Sequence, residues 1–457
     1  MDSADTMHMV NSFDPAAGVE LEPRAAALIA RRQKVLGAPY RLFYERPVAV
    51  SRGYGALLFD ADDLDYLDAY NNVPAVGHSN ERVQAAVAGQ LGRLNTHTRY
   101  LTDSVVDYSE RLLHLFPPHL SQIIYACTGS EAVDLALRIA SHATGATGLV
   151  ITANAYHGTT QSAAAISPSL GPNNLLPHHV VTVPAPDPLR EAPGELATLF
   201  ADRVEKAIAE LRRRGVGFSA LIVDSVLSSD GLVTSPSDFL RDAVDVAHRE
   251  GGLYIADEVQ PGFGRLGSEW WGFLRLAVEP DLVVLGKPMG NGIPISAVVG
   301  RESLFDAFGR DVRYFNTFGG NPVSIAAAGA VLDEIEERGL LAQATAVGSL
   351  LKQGLETLAS EEQRIGQVRG EGLFLAVEFV DPSRDDRHRR PANAGSTAPD
   401  PVLASQVVNG LRERRVLVSA SGRYGNVLKI RPPLVFDVSH AERLLDALGA
   451  VLEAGRW

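Results

Sequence analysis

Four short stretches of this chain place chemically capable side chains directly after apolar runs. In Tyr254-Ile255-Ala256-Asp257 an apolar segment delivers a carboxylate to its end. A carboxylate there is costly unless paired, although many such aspartates only cap a helix or meet an arginine. In Leu282-Val283-Val284-Leu285-Gly286-Lys287 the residue delivered is a lysine, with Gly286 allowing close backbone approach. Such a lysine either snorkels to solvent or is a desolvated amine of lowered pKa, and Schiff-base chemistry with a carbonyl group needs the second kind. The third stretch, Tyr125-Ala126-Cys127-Thr128-Gly129-Ser130-Glu131-Ala132, runs into a helix expected over 133–140. Backbone N–H groups at a helix start, with the Ser130 hydroxyl, form an anion site, although Ser and Thr are also ordinary N-caps. The fourth, Ala155-Tyr156-His157-Gly158-Thr159, offers two rings to stack on a planar group; its plain alternative is a turn with a packed tyrosine.

Together the four stretches suit one ligand. A phosphate would sit at Gly129-Ser130 and a flat ring against Tyr156 or His157. Asp257 would face a ring nitrogen, and Lys287 an aldehyde. Pyridoxal phosphate (PLP) carries all of these groups, and needs the acid to keep its pyridinium nitrogen protonated.

The elements that must position these residues alternate apolar runs with amphipathic helices, the pattern of βα units and a mainly parallel sheet. Strands are expected at 122–126, 148–152, 220–223, 253–256, 282–285 and 297–299, each rich in Val, Ile or Leu as strands covered on both faces should be. Nearly all the unusual polar residues follow these strands, and ligands of open α/β sheets bind outside the strands' carboxyl ends. Before this region, 47–70 reads as short strands with an acidic turn, Asp60-Ala61-Asp62-Asp63, taken as a solvated hairpin rather than a cation site. After about Asn321 come long helices, a strand at 372–380, a charged exposed loop at 384–401, and strands with a final helix over 416–454. Residues 1–20 read as mobile until they meet a partner surface.

Bulk properties narrow the classes. The 457 residues are 46% hydrophobic and 21% charged, enough for one large domain and one smaller one. The formal net charge of −13, without a basic run, argues against nucleic acid. The single cysteine, Cys127, excludes a disulfide framework and suits the cytoplasm. No apolar run is long enough to span a bilayer, and the start Met1-Asp2-Ser3-Ala4-Asp5 lacks the basic and apolar regions of a secretory leader.

The run Asp257-Glu258-Val259-Gln260-Pro261-Gly262-Phe263-Gly264-Arg265-Leu266-Gly267, with Lys287 downstream, resembles the signature of class III PLP-dependent aminotransferases. The likeness extends to Asn71-Asn72-Val73, Gly77-His78, 128–137, Tyr156-His157-Gly158, 315–322 and Leu428-Lys429-Ile430-Arg431-Pro432-Pro433-Leu434. It implies an α/β fold of type I: an N-terminal segment (1–75) joining the small domain, a large PLP-binding domain (76–330) with a mainly parallel seven-stranded sheet, and a smaller α+β domain (331–457). It also implies a homodimer, or a tetramer built from it, with the active site at the interface. By the same resemblance Lys287 and Asp257 are catalytic, Gln260 contacts the cofactor's phenolic oxygen, and Thr317 reaches the phosphate of the neighbouring subunit's cofactor. Arg431 binds a substrate carboxylate with its planar fork. The plain alternatives are a turn-capping Thr317 and an Arg431 paired with a surface carboxylate.

Departures from the family pattern bear on the substrate. Val133 stands where Asn is usual, Pro261 and Leu266 replace Thr, Pro288 follows the lysine, and Asp224 replaces a common Glu. The segment Ser228-Ser229-Asp230-Gly231 lacks the glutamate that gates the arginine in some members. The leading expectation is ping-pong amino transfer between an amine or amino acid and a keto acid or aldehyde. Asn71-Asn72-Val73 and 426–431 are most similar to the branch holding alanine–glyoxylate aminotransferase 2 and ethanolamine-phosphate phospho-lyase, so a phospho-lyase acting on an amino-alcohol phosphate is the alternative, with a racemase beside it. A non-catalytic protein would not need Lys287, Asp257 and Gln260 together, and no complete G-x-G-x-x-G between a strand and a helix supports a dehydrogenase.

Overall fold

The computed structural model describes residues 11–192, 194–384 and 396–455. An N-terminal meander is formed by β1 (Val50–Tyr54), β2 (Leu57–Asp60) and β3 (Asp65–Asp68). Its acidic turn is closed by Asp60, whose Oδ1 accepts from the N–H groups of Asp62 and Leu64, while Arg52 pairs with Asp63.

The main sheet contains β4 (Gln122–Ala126), β5 (Gly148–Thr152), β6 (Val180–Val183), β7 (Phe218–Asp224), β8 (Leu253–Asp257), β9 (Leu282–Leu285) and β10 (Ser296–Gly300). Their order is β4-β10-β9-β8-β7-β5-β6. The run from β9 through β8, β7 and β5 to β6 is parallel, and β10 is antiparallel to both its neighbours. Side chains alternate between two cores, as the two-residue period requires. Leu149, Ile151, Ile222 and Ile255 pack with Ala132, Leu135, Ala136 and Ile139 of the helix Gly129–Thr144. Val150, Leu221, Val223 and Val283 join the other core with Phe200, Val204 and Ile208 of the helix Leu196–Arg213. Six strands lie where the apolar runs put them. The edge strand β6 was not among them, because Val180-Val181-Thr182-Val183 is a four-residue run emerging from a polar loop.

The remaining elements form a second layer. β11 (Ile365–Glu371), β12 (Phe374–Phe379), β14 (Ser419–Ser421) and β15 (Val427–Ile430) make an antiparallel sheet, order β11-β12-β15-β14, covered by the helices Leu340–Glu361 and Pro401–Glu413, against which the helix Val438–Ala454 packs. The strand expected at 372–380 is thus the second arm of a hairpin. Its first arm is hidden in the sequence by Gln367 and Arg369, the latter buried against Glu378. The short β13 (Val416–Leu417) pairs in parallel with β3, Leu67 opposite Val416, tying the N-terminal meander to the C-terminal part.

Two loop expectations are corrected. Residues 1–10 lie outside the described residues, but 11–13 are docked rather than free: Phe13 N–H donates to Leu42 O at 2.9 Å and Asn11 is 1% exposed. Of the loop 384–401, residues 385–395 lie outside the description, whereas Ala398 is buried and Pro399 bridges to Val380. Among the described residues no helix is long and apolar enough to cross a membrane.

Candidate active site

The parallel register sets the carboxyl ends of β7, β8 and β9 side by side. Asp224 stands opposite Asp257, and Asp257 opposite Val284, three residues before Lys287. Asp257 is buried, and its two oxygens are separately engaged: Oδ2 meets His157 Nδ1 at 2.7 Å and Oδ1 accepts Val259 N–H at 3.1 Å. With a carboxylate as its partner, His157 Nδ1 carries the proton. His157 thus orients Asp257 through the edge of its ring. His157 Nε2 is buried without a partner among the described residues.

Lys287 follows β9 with φ +28°, a left-handed backbone that a β-carbon disfavours and that here aims the side chain into the cleft. Its Nζ lies 5.9 Å from the centre of the Tyr156 ring. Burial pushes the amine down to about 8, helped by the Arg431 charge and opposed by Asp257 and Asp224. Lys287 is thus the desolvated amine and not the snorkelling one. Gly286 before it is extended (φ 179°), and a β-carbon there would touch Gly129 Cα at 3.4 Å.

The anion cradle forms at the start of the helix Gly129–Thr144, longer than the expected 133–140. Thr128 and Glu131 close a capping box, leaving Gly129 and Ser130 at the electropositive end. Gly158 presses the 156–159 turn onto this end. At φ +141°, a β-carbon on it would fall 2.4 Å from Ser130 Oγ, the oxygen that accepts Thr159 N–H at 3.0 Å. Gly129, Ser130, Tyr156, His157, Asp257, Gln260 and Lys287 all line one open cleft of about 590 Å³.

Two residues named from the sequence do not line it. Thr317 is exposed on a turn whose capping is done by Asn316, whose Oδ1 accepts from Phe318 and Gly319 N–H. Packing within the chain demands a glycine beside it: a β-carbon on Gly319 would lie 2.5 Å from Tyr125 O. Arg431 is buried behind Gln260 and does not pair with a surface carboxylate. Its Nε donates to Tyr70 O at 3.3 Å, its Nη1 donates to Gln260 Oε1, and its guanidinium lies over the Tyr70 and Phe374 rings. Gln260 Nε2 reaches Asp224 Oδ2 at 3.4 Å, so its amide links Arg431 to Asp224. Sequence reasoning overlooked Lys429, a buried lysine on β15 two residues before Arg431. The signal was present, since alternate residues of a strand share a face.

The cleft fits PLP on its own chemistry: a glycine-shaped anion cradle, an oriented buried carboxylate, an aromatic face and a desolvated lysine. The chain is similar to known proteins along most of its length. "Alanine–glyoxylate aminotransferase 2-like" of Drosophila melanogaster is 37% identical over 442 residues, covering 93% of this chain and 87% of the relative. A phospholyase from Arthrobacter, solved in complex with phosphoethanolamine, is 42% identical with a TM-score of 0.87, covering 93% of this chain and 99% of that one. An amine transaminase from an uncultivated Pseudomonas species, solved in its PLP-bound form, is 28% identical with a TM-score of 0.77, covering 89% and 95%. The model of the class-III aminotransferase family matches residues 43–452. This chain therefore belongs to the class III aminotransferases, enzymes of fold type I that work with pyridoxal phosphate.

Proposed function

We propose that this enzyme is a phospho-lyase acting on a small amino-alcohol phosphate. The observation that carries the reading is the group of cations at and just behind the cleft, Lys287 in its lining with Arg431 and Lys429 buried behind it, where burial and the Arg431 charge lower the ionisation of both lysines. Such a site favours a doubly charged phosphate group over a singly charged carboxylate, and the likeness to the Arthrobacter phospholyase supports it. When bound, PLP supplies a carbonyl that condenses with a primary amine and a ring that accepts electron density. Ser130 and the first amides of the helix Gly129–Thr144 would hold the cofactor's phosphate, Tyr156 would cover a ring face, and Asp257, oriented by His157, would keep the ring nitrogen protonated. Gln260 would face the phenolic oxygen. Lys287 Nζ takes the proton from the amine-bearing carbon of the substrate. Arg431 holds the phosphate that leaves the adjacent carbon with its bonding electron pair. Overall one water is consumed, and an aldehyde, ammonia and inorganic phosphate are released.

Amino transfer to a keto acid is the second reading, favoured by the planar fork of Arg431, which suits a carboxylate, and by the Drosophila relative. Phosphoethanolamine given to the PLP-loaded enzyme without any keto acid separates the two. The lyase reading expects phosphate and ammonia in equal amounts; no phosphate, with transfer from amino acids to keto acids, would replace it with the transferase.

We also propose that the enzyme is a cytoplasmic homodimer. Tyr100, Leu101, Phe315 and Phe318 are exposed around Thr317, and His97 joins Tyr100 to Phe315 by ring contacts. An apolar face of this kind suits a second copy, against which Thr317 would reach the partner's cofactor phosphate.

A further inference from the structure

We infer that Lys429 is the second cation of the substrate's anion subsite, the residue that makes it prefer a phosphate monoester to a carboxylate; this rests on the lyase reading above. Lys429 lies in the middle of β15, opposite Ala376 and Ser419. Strand alternation puts Val427, Lys429 and Arg431 on one face. Val427 packs there against Val226 and Leu232, in the loop that follows β7, so this face is turned toward the carboxyl edge of the main sheet.

The amine lacks a hydrogen-bond acceptor among the described residues. Among the described residues it makes no side-chain hydrogen bond or ion pair, although Lys429 is only 9% exposed. The nearby carboxylates are occupied. Asp224 accepts from Ser228 Oγ and Val226 N–H, and Asp230 from Thr152 Oγ1 at 2.7 Å and Asn154 N–H at 3.1 Å. Their charges act on Lys429 from a distance, against those of Arg431 and Lys287. Burial and the Arg431 charge bring the amine down to about 7, the mark of an ammonium lacking a close acceptor.

A substrate phosphate supplies what is missing. A carboxylate has two oxygens and one charge, which the fork of a single arginine can satisfy. A phosphate monoester has three acceptor oxygens and a charge of about −1.5 to −2, enough for Arg431 and Lys429 together. The competing reading makes Lys429 only a strut, drawn to Asp224 and Asp230 across the seam between the two sheets. A strut would alter thermal stability and leave anion affinity alone.

The test measures binding of inorganic phosphate and of acetate to the PLP-loaded enzyme by calorimetry, for wild type, Lys429→Met, Lys429→Gln and Lys429→Arg. The two neutral variants should bind phosphate about 10- to 100-fold more weakly, the loss of one charge-assisted hydrogen bond, with acetate changed less than about threefold. Lys429→Arg should recover most of the phosphate affinity. Unchanged phosphate affinity in whichever neutral variant folds, or an equal loss for both anions, would overturn the assignment. Should wild type bind phosphate in this way but fail to cleave phosphoethanolamine, the lyase reading falls while Lys429 keeps its place in the anion subsite.

Discussion

Replacing Gly158 by alanine tests the cofactor cradle at its tightest point. The new β-carbon would lie 2.4 Å from Ser130 Oγ, 2.8 Å from Ser130 Cβ and 2.9 Å from Ser130 Cα. The last of these is backbone within a helix and cannot swing aside. The φ of +141° adds a conformational penalty of about 1–3 kcal/mol for any residue with a β-carbon. Relief requires the 156–159 turn to lift off the helix, which stretches the Thr159 N–H to Ser130 Oγ bond and moves His157, the partner of Asp257. The cradle and the acid are therefore damaged together. Gly145→Ala is the control: its φ is +64° with nothing within 4 Å of the new atom, so it bears only the left-handed penalty of roughly 1–2 kcal/mol. Both variants should melt earlier than wild type. Only Gly158→Ala should weaken uptake of PLP by the apoprotein, by at least about tenfold, or 1.4 kcal/mol, in a visible-absorbance titration. Wild-type PLP affinity in a folded Gly158→Ala protein would show that the 156–159 turn does not shape the cofactor site.

The remaining expectations use the same geometry. The Lys287 amine must be neutral to capture PLP, so the capture rate of apoprotein should rise with pH through about 8 and then level off. Arg431→Met removes a charge that depresses Lys287 and should move this midpoint upward; a wild-type midpoint near the ordinary lysine value of about 10.4 would refute the desolvation account. Asp257→Asn should lower turnover about 10- to 150-fold through loss of a charge-assisted hydrogen bond while PLP content falls little, and unchanged turnover would remove Asp257 from the chemistry. Phe318→Asp should convert a sedimenting dimer to monomer and release PLP more readily, whereas a fully active wild-type monomer would defeat the dimer proposal.

Much of this site is legible in the chain itself. Asp257 and Lys287 each end an apolar run, and the anion cradle follows a third. Parallel βα units bring all such endings to one edge of the sheet, so local pattern sufficed to gather them. The glycine turn at 156–159 was legible as a feature, but not the duty of its histidine. What only the tertiary structure decided are contacts between residues distant in the chain and carried by different layers. Arg431 meets Tyr70 across 361 positions and Gln260 across 171, so whether its fork lay at the surface, in the cleft or behind it depended on how β15 packs against the main sheet. His157 reaches Asp257 across 100 positions, which makes it the holder of the acid. Lys429 shows the same limit most plainly: strand alternation puts it beside Arg431, but the lack of an acceptor for its amine among the described residues follows from packing, because Asp224 and Asp230 had first to be claimed by Ser228, Thr152 and Asn154. Periodicity fixes which face of an element a side chain occupies, whereas its charge environment is set by the neighbours that the fold brings to that face.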